Sequence, residues 1–104
     1  MKYLSRPEEL VLVCLWKMQE EPYGLNIKKM LEDLTGKYWS IGSVYVPLDR
    51  LENKGFVKSY LANPTPERGG KSKRHYEITD NGIKQLKEIK KIYETFWMDM
   101  PDLG

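Results

Sequence analysis

The sequence predicts one mainly α-helical domain that also holds a small two-stranded sheet. Apolar residues recur at helical spacing in four segments, and two strand-like segments flank a stretch rich in glycine and proline. The length of 104 residues is enough to bury one core and too short for two. We therefore expect the order helix, helix, helix, hairpin, helix.

The first helix is predicted over residues 7–19. Ser5 can cap it, Pro7 suits an early helical position, and Glu8 completes a capping box. Its middle, residues 10–16, can also be read as a buried strand, but the capping box favours a helix. Because those residues are apolar nearly all round, this helix must be covered on more than one side. A second subunit can supply that cover.

Two shorter helices joined by a tight link follow, an arrangement typical of a helix-turn-helix. The second helix is predicted over residues 25–34 and is closed by Gly36, and the third is predicted over residues 42–54 and is stopped by Gly55. Between them, Trp39 is expected to pack against the core and to anchor the third helix.

Pro47 lies inside the third helix and affects where that helix can begin. If Ser43 caps the helix, the proline removes only one backbone hydrogen bond, whereas a start at Ile41 places it deeper and at a greater cost. We therefore expect a strained or irregular first turn.

The hairpin is predicted from strands at residues 56–61 and 73–79, with Tyr76 and Ile78 on the face that points inward. A hairpin of two strands is marginally stable alone, so it must lean on the helices. Residues 63–75 carry four lysine or arginine side chains against one glutamate, which concentrates positive charge at the tip. Such a patch favours contact with phosphate, and a solvated turn is the alternative interpretation.

The last helix is predicted over residues 80–98, with Asp80 as its cap. Its apolar residues step by three and four positions, the spacing of a coiled-coil seam, and they are Leu86, Ile89, Tyr93, Phe96 and Met100. Ile83, Ile92 and Trp97 widen this surface beyond what one small core uses. We therefore expect this helix to pair two copies of the chain.

These elements follow the plan of a winged helix-turn-helix DNA-binding domain, residues 1–79, with a dimerisation helix and tail at residues 80–104. An enzyme is not expected, because one His and one Cys cannot form a Cys/His zinc set and no phosphate-binding or nucleophile motif occurs. No cofactor and no metal are predicted. The longest apolar run, residues 10–16, is far below the roughly 20 residues that span a membrane. With no secretory signal and no possible intrachain disulfide, a cytoplasmic protein is predicted.

Three segments form a set with a specific order and spacing. They are Pro22-Tyr23-Gly24, residues 43–57 (SVYVPLDRLENKGFV) and residues 73–82 (KRHYEITDNG). Together they resemble the PadR family of bacterial regulators. The resemblance implies a homodimeric winged-helix repressor whose third helix enters the major groove, whose wing touches the DNA backbone and whose last helix dimerises. The sequence departs from the family at Val46, because the family commonly places proline directly after the tyrosine and here it is Pro47.

The candidate DNA contacts lie on two helices and the wing. They are Ser43, Tyr45 and Arg50 on the third helix, Lys28 on the second, and Arg68, Lys71, Lys73, Arg74 and His75 in the wing. Arginine can bind guanine through two parallel hydrogen bonds, and cations in the wing can hold phosphate. Val46 and Asp49 also remain near the outer face of the third helix.

Several of these candidates have a structural alternative. Arg50 can form a surface ion pair with Asp49 or Glu52, and Tyr45 can serve in packing alone. Lys28 can be solvated like most helical lysines. His75 is expected to donate to phosphate or to be a plain surface group.

The candidate dimer interface joins the last helix to the first, through Leu10, Leu86, Ile89, Tyr93, Phe96 and Trp97. Three aromatic side chains on these helices, Trp16, Phe96 and Trp97, can also form a pocket for a flat hydrophobic effector. Plain interface packing is the favoured interpretation of these three side chains, because tryptophan is enriched at interfaces for its area.

We therefore predict a sequence-specific transcriptional repressor that binds double-stranded DNA as a homodimer at an inverted repeat and is relieved by a small aromatic effector. One alternative is a winged-helix module that binds proteins and no DNA. Another is a small-molecule sensor without an operator. A third is a different winged-helix family such as MarR, which differs mainly in where its dimer helices come from.

Overall fold

In residues 3–62 and 73–104, which a computed structural model describes, four α-helices and two antiparallel strands occur. They are α1 (Arg6–Lys17), α2 (Gly24–Thr35), α3 (Ile41–Asn53), β1 (Val57–Leu61), β2 (Arg74–Ile78) and α4 (Asp80–Trp97). This is the predicted order, with α2 and α3 as the helix-turn-helix and the hairpin as the wing. No helix in these described ranges is long and apolar enough to cross a membrane.

The core lies where α1, α2 and α3 meet. Its fully buried side chains include Leu12, Ile27, Leu31, Val44, Leu48 and Leu51. Cys14 on α1 also lies in this core, and burial raises the pKa of its thiol to about 11. Trp39 packs against the same core, and its indole N–H donates to Thr35 Oγ1 at 3.2 Å, in agreement with the packing role predicted for it.

The predicted capping box at the start of α1 is confirmed. The Glu8 amide donates to Ser5 Oγ at 3.3 Å, and the Ser5 amide donates to Glu8 Oε1 at 2.9 Å. The helix ends at Lys17, two residues before its predicted end. The buried Glu8 side chain also accepts a hydrogen bond from Lys54 Nζ at 2.6 Å on its second oxygen, which joins the start of α1 to the end of α3.

The third helix begins at Ile41, one residue before its predicted start, and Ser40 caps it by accepting from the Ser43 amide at 3.1 Å. The interpretation that depended on Ser43 as the cap is therefore wrong. Pro47 lies at the seventh helical position, yet the helix runs without a break to Asn53, so the expected irregular first turn is absent from it. Pro47 is buried in the core, and this packing offsets the lost backbone hydrogen bond.

The strands of the hairpin pair Val57 with Ile78 and continue in register to Leu61 with Arg74. Tyr76 is buried and belongs to the core cluster, so it lies on the inward face of the hairpin as predicted. A short third segment lies along the other edge of β2, because the Tyr76 amide donates to the Pro22 carbonyl at 3.0 Å. The segment before α2 thus covers part of the wing.

Thr79, and not Asp80, caps α4, because Thr79 Oγ1 accepts from the Gly82 amide at 3.1 Å. The same hydroxyl donates to the Gly55 carbonyl at 2.7 Å, which fixes α4 to the end of α3. Gly82 itself lies against the Phe56 carbonyl, where an added Cβ would overlap the oxygen.

The far half of α4 extends beyond the core. The molecule measures 55 × 30 × 23 Å with a radius of gyration of 15.5 Å, whereas a compact chain of this size has about 13 Å. Phe96 and Trp97 near the end of α4 remain 72% and 57% exposed. Within the described residues, this end of the helix is therefore only partly covered.

Candidate nucleic-acid interface

The outward face of α3 follows from the residues that this helix buries. Val44, Pro47, Leu48 and Leu51 are buried, and a helix turns by about 100° per residue. The row pointing directly away from them consists of Gly42, Val46, Asp49 and Asn53, and all of these residues are exposed. This row, which we call the outward row, is the surface that α3 offers to a large partner.

The predicted contacts Ser43 and Arg50 lie on one flank of the outward row, one above the other. Arg50 is exposed and, within the described residues, forms no ion pair with Asp49 or Glu52. Its guanidinium is therefore available to a phosphate or a base. The Ser43 hydroxyl donates to the Ser40 carbonyl at 2.6 Å, so it offers only its remaining lone pairs.

Tyr45 lies on the opposite flank, which faces the wing. Its ring centroid is 6.5 Å from that of Tyr76, and its hydroxyl fills a notch above Gly24, where a Cβ would overlap it. Tyr45 is still 37% exposed, so most of its surface is buried by packing and one edge of the ring remains accessible to a ligand. Tyr45 therefore fixes the angle between α2 and α3 through the glycine at the start of α2.

A chain of polar side chains connects the wing to α3. Arg74 donates to Ser59 Oγ at 3.0 Å, and Ser59 Oγ donates to Glu52 Oε2 at 2.8 Å. Lys73 lies with its Nζ 3.7 Å from the centroid of the Tyr23 ring, a cation–π contact. Arg74 thus lies on the face of the hairpin that is bonded to α3, whereas Lys73 lies on the opposite face beside Tyr23. Arg68 and Lys71 lie outside the described residues.

His75 is buried with 7% exposure, so the expectation that it is a surface group is wrong. Its ring lies between those of Tyr60 and Tyr23, at centroid distances of 5.6 and 6.0 Å. Its Nδ1 has no hydrogen-bond partner among residues 3–62 and 73–104 and is 3.7 Å from Glu21 Oε2. The physical reason is the segment before α2, which pairs with β2 at Tyr23 and covers the imidazole.

Lys28 on α2 is bound within its own helix. Its Nζ is 3.2 Å from both carboxylate oxygens of Glu32 and 5.0 Å from the centroid of the Tyr38 ring. The Trp39 amide also donates to Glu32 at 3.1 Å, and these bonds lower the pKa of that carboxyl group. Lys28 thus helps to hold the link between α2 and α3, which reduces its availability to DNA.

An apolar groove of about 730 Å³ runs between α1 and α4. It brings together five of the residues predicted for the dimer interface, Leu10, Leu86, Ile89, Tyr93 and Trp97. Two of the three residues predicted for the effector pocket, Trp16 and Trp97, also line it. Tyr93 donates to Glu9 Oε1 at 2.8 Å, and this bond raises the pKa of the tyrosine.

Phe96 does not line this groove, so the predicted trio of Trp16, Phe96 and Trp97 is not assembled around one pocket. Phe96 lines a second groove of about 410 Å³ on the neighbouring face of α4, together with Tyr3 and Ile92. The reason is helical spacing, since adjacent residues 96 and 97 point about 100° apart.

Two members of the outward row, Val46 and Asp49, were not among the predicted DNA contacts. The pattern of Val44, Leu48 and Leu51 already indicates this position, and the burial of Pro47 agrees with it. A helical projection that includes the proline among the apolar residues places both side chains at the centre of the exposed face.

Comparison with known proteins agrees with this geometry. Residues 11–88 match the PadR-like family of transcriptional regulators. No curated protein sequence matches the chain significantly.

Several solved structures have the same fold, among them two that are described as members of this family. A PadR family transcription regulator from Clostridium difficile has a TM-score of 0.72 at 24% identity, covering 88% of this chain and 91% of that one. A PadR-like transcriptional regulator from Bacillus cereus has a TM-score of 0.69 at 28% identity, with 86% and 82% covered. RosR of H. salinarum has a TM-score of 0.73 at 25% identity, with 97% and 84% covered.

The family match includes α2, α3, both strands of the wing, most of α1 and the first half of α4. It identifies a transcription regulator and not an enzyme. The protein belongs to the PadR-like family of transcriptional regulators.

Proposed function

We propose that the protein is a homodimeric repressor that binds an inverted-repeat operator through α3 in the major groove and the wing on the backbone. The observation that supports this most directly is the outward row of α3, an exposed helix face next to a wing that carries Arg74. Because Arg74 is bonded through Ser59 to Glu52, the wing and α3 present one continuous surface. Two copies would place their α3 helices about one DNA turn, roughly 34 Å, apart.

The exposed aromatic side chains at the end of α4 support the pairing of two copies. Aromatic side chains that remain more than half exposed in one chain gain most when a second chain covers them. The apolar groove between α1 and α4 has the residue types of a subunit interface. In the proposed dimer, α4 of one copy packs against α1 and α4 of the other.

Relief of repression by a flat hydrophobic effector is supported by the size of the same groove. Small-molecule sites usually measure about 300–1,000 Å³, and Trp16 and Trp97 lie on opposite sides of this one. An effector held there would change the separation of the two DNA-binding heads and shift the dimer toward an arrangement that fits the operator poorly. Titration with planar aromatic compounds should quench the fluorescence of Trp16 and Trp97, and a Trp97→Leu variant should lose the part of this signal that comes from Trp97.

Fluorescence anisotropy with duplexes tiling the DNA upstream of the protein's own gene tests the proposed function. One duplex should bind at least 1,000-fold more tightly than random DNA, and its affinity should fall steeply as salt is raised. Equal weak binding to all duplexes would contradict an operator, and binding to none would favour the alternative of a protein-interaction module.

Two charge deletions on the wing provide the matched comparison. Arg74→Ala should weaken operator binding and reduce the salt dependence by about one ion, because it removes a phosphate contact. Lys58→Ala removes the same charge from the opposite face of the same hairpin, where Lys58 faces Glu77, and should leave affinity nearly unchanged. Equal losses in both variants would indicate a nonspecific basic surface.

A further inference from the structure

Val46 is an apolar side chain at the centre of the outward row of α3. It is 49% exposed, although its neighbours Val44 and Pro47 are buried in the core. An exposed β-branched residue stabilises neither the helix nor the core. Val46 therefore offers an apolar contact at the centre of the face that α3 presents to a partner.

The surroundings of Val46 limit what that partner can offer. One turn before it, Gly42 has open space where a Cβ would be, so the start of α3 can approach a surface closely. One turn after it, the exposed Asp49 repels phosphate. The outward row is therefore suited to the floor of the groove, while the flank carrying Arg50 is suited to the backbone.

In the major groove, only thymine presents an apolar group, the methyl group on C5. A short side chain such as valine reaches this methyl group only if the helix lies deep in the groove, and the missing side chain at Gly42 permits that depth. Cytosine presents an amino group next to a bare C5 and gives valine no comparable contact.

We propose that Val46 contacts the C5 methyl group of one thymine in each operator half-site and thereby sets a preference for thymine over cytosine at that position. This inference rests on the proposed function, since it requires α3 in the major groove.

Replacement of single thymines by deoxyuridine tests the proposal, because uracil differs from thymine only by the lost methyl group. With the operator duplex found by anisotropy, wild-type protein should show one position per half-site where the substitution weakens binding about fourfold, and about 16-fold when both half-sites are changed. In the Val46→Ala variant, thymine and uracil at that position should bind equally. Val46 is exposed, so the variant should fold like the wild type.

Ile41→Ala provides the control. Ile41 is 42% exposed and lies in the first turn of α3, away from the outward row, so this variant should keep the full response to uracil at the Val46 position. The proposal is overturned if no uracil position weakens binding, or if the response persists undiminished in Val46→Ala. Absence of salt-dependent binding to every duplex would overturn the proposed function and this inference together.

Discussion

At the scale of single residues, Glu8 has an unusual environment for a carboxylate. It is only 3% exposed, and its two oxygens accept hydrogen bonds from the Ser5 amide and from Lys54. Burial raises its pKa, but the bonds from Lys54 and Ser5 outweigh burial and leave the pKa below its ordinary value. The charged form of Glu8 therefore stabilises the fold.

Replacement of Lys54 by methionine should lower the free energy of unfolding by about 1–3 kcal/mol, because a buried carboxylate loses its cation. The matched control is Lys58→Met, which breaks an exposed ion pair with Glu77 at 3.8 Å and should cost no more than about 0.5 kcal/mol. Urea unfolding at one protein concentration measures both. Equal losses of unfolding free energy in the two variants would show that the buried ion pair of Lys54 with Glu8 stabilises the fold no more than an exposed ion pair does.

The contribution of Glu8 also depends on pH. Since its folded pKa is lowered, its stabilisation is present above the ordinary carboxyl pKa of 4.5 and is lost as the pH falls through the lower folded value. The difference in stability between the wild type and Lys54→Met should therefore narrow in acid. A difference that stays constant from pH 7 to pH 3 would contradict this account.

At the scale of elements, the close approach of α4 to the end of α3 depends on Gly82. An alanine there would overlap the Phe56 carbonyl and the Ile78 side chain, so Gly82→Ala should destabilise the protein by about 1–3 kcal/mol. Gly42→Ala places the same methyl group in open space on α3 and should stabilise it by about 0.5–1 kcal/mol. Thermal unfolding of the two variants should shift in opposite directions, and a shared direction would contradict the packing described for Gly82.

At the scale of the whole molecule, pairing through α4 predicts that Trp97→Glu is a folded monomer. The glutamate places a charge in the apolar groove, and Trp97 is 57% exposed, so the single chain should tolerate it. Leu34→Glu is the control, because Leu34 on α2 is similarly exposed at 59% and lies away from the groove. Sedimentation should detect monomers for Trp97→Glu alone, with loss of operator binding. A dimeric Trp97→Glu protein would exclude this interface.

Local signals in the sequence were sufficient to predict the element order and the first helix cap. The capping bonds join Ser5 and Glu8, which are three residues apart, so a short motif could reveal them, whereas the bond from Lys54 to Glu8 spans 46 positions and left no local signal. The predicted start of α3 was wrong because both Ser40 and Ser43 are residues that can cap a helix, and the sequence alone does not distinguish them.

The misjudged residues of the candidate site depend on contacts distant in sequence. His75 is covered by Tyr23, more than 50 positions earlier, which no pattern around the wing can indicate. Phe96 and Trp97 were assigned to one pocket by residue type, whereas their directions on α4 separate them. Residue types thus indicated that the surface of α4 is apolar and aromatic. Only the three-dimensional arrangement showed which of these side chains line the same groove.

The buried Cys14 offers a way to follow the opening of this fold. Its thiol is 2% exposed, and with a pKa of about 11 almost none of it is thiolate at neutral pH. Alkylating reagents should therefore modify it only during transient unfolding of the helices around it. The labelling rate of Cys14 would then report the free energy of that opening for each variant, in the presence and absence of DNA.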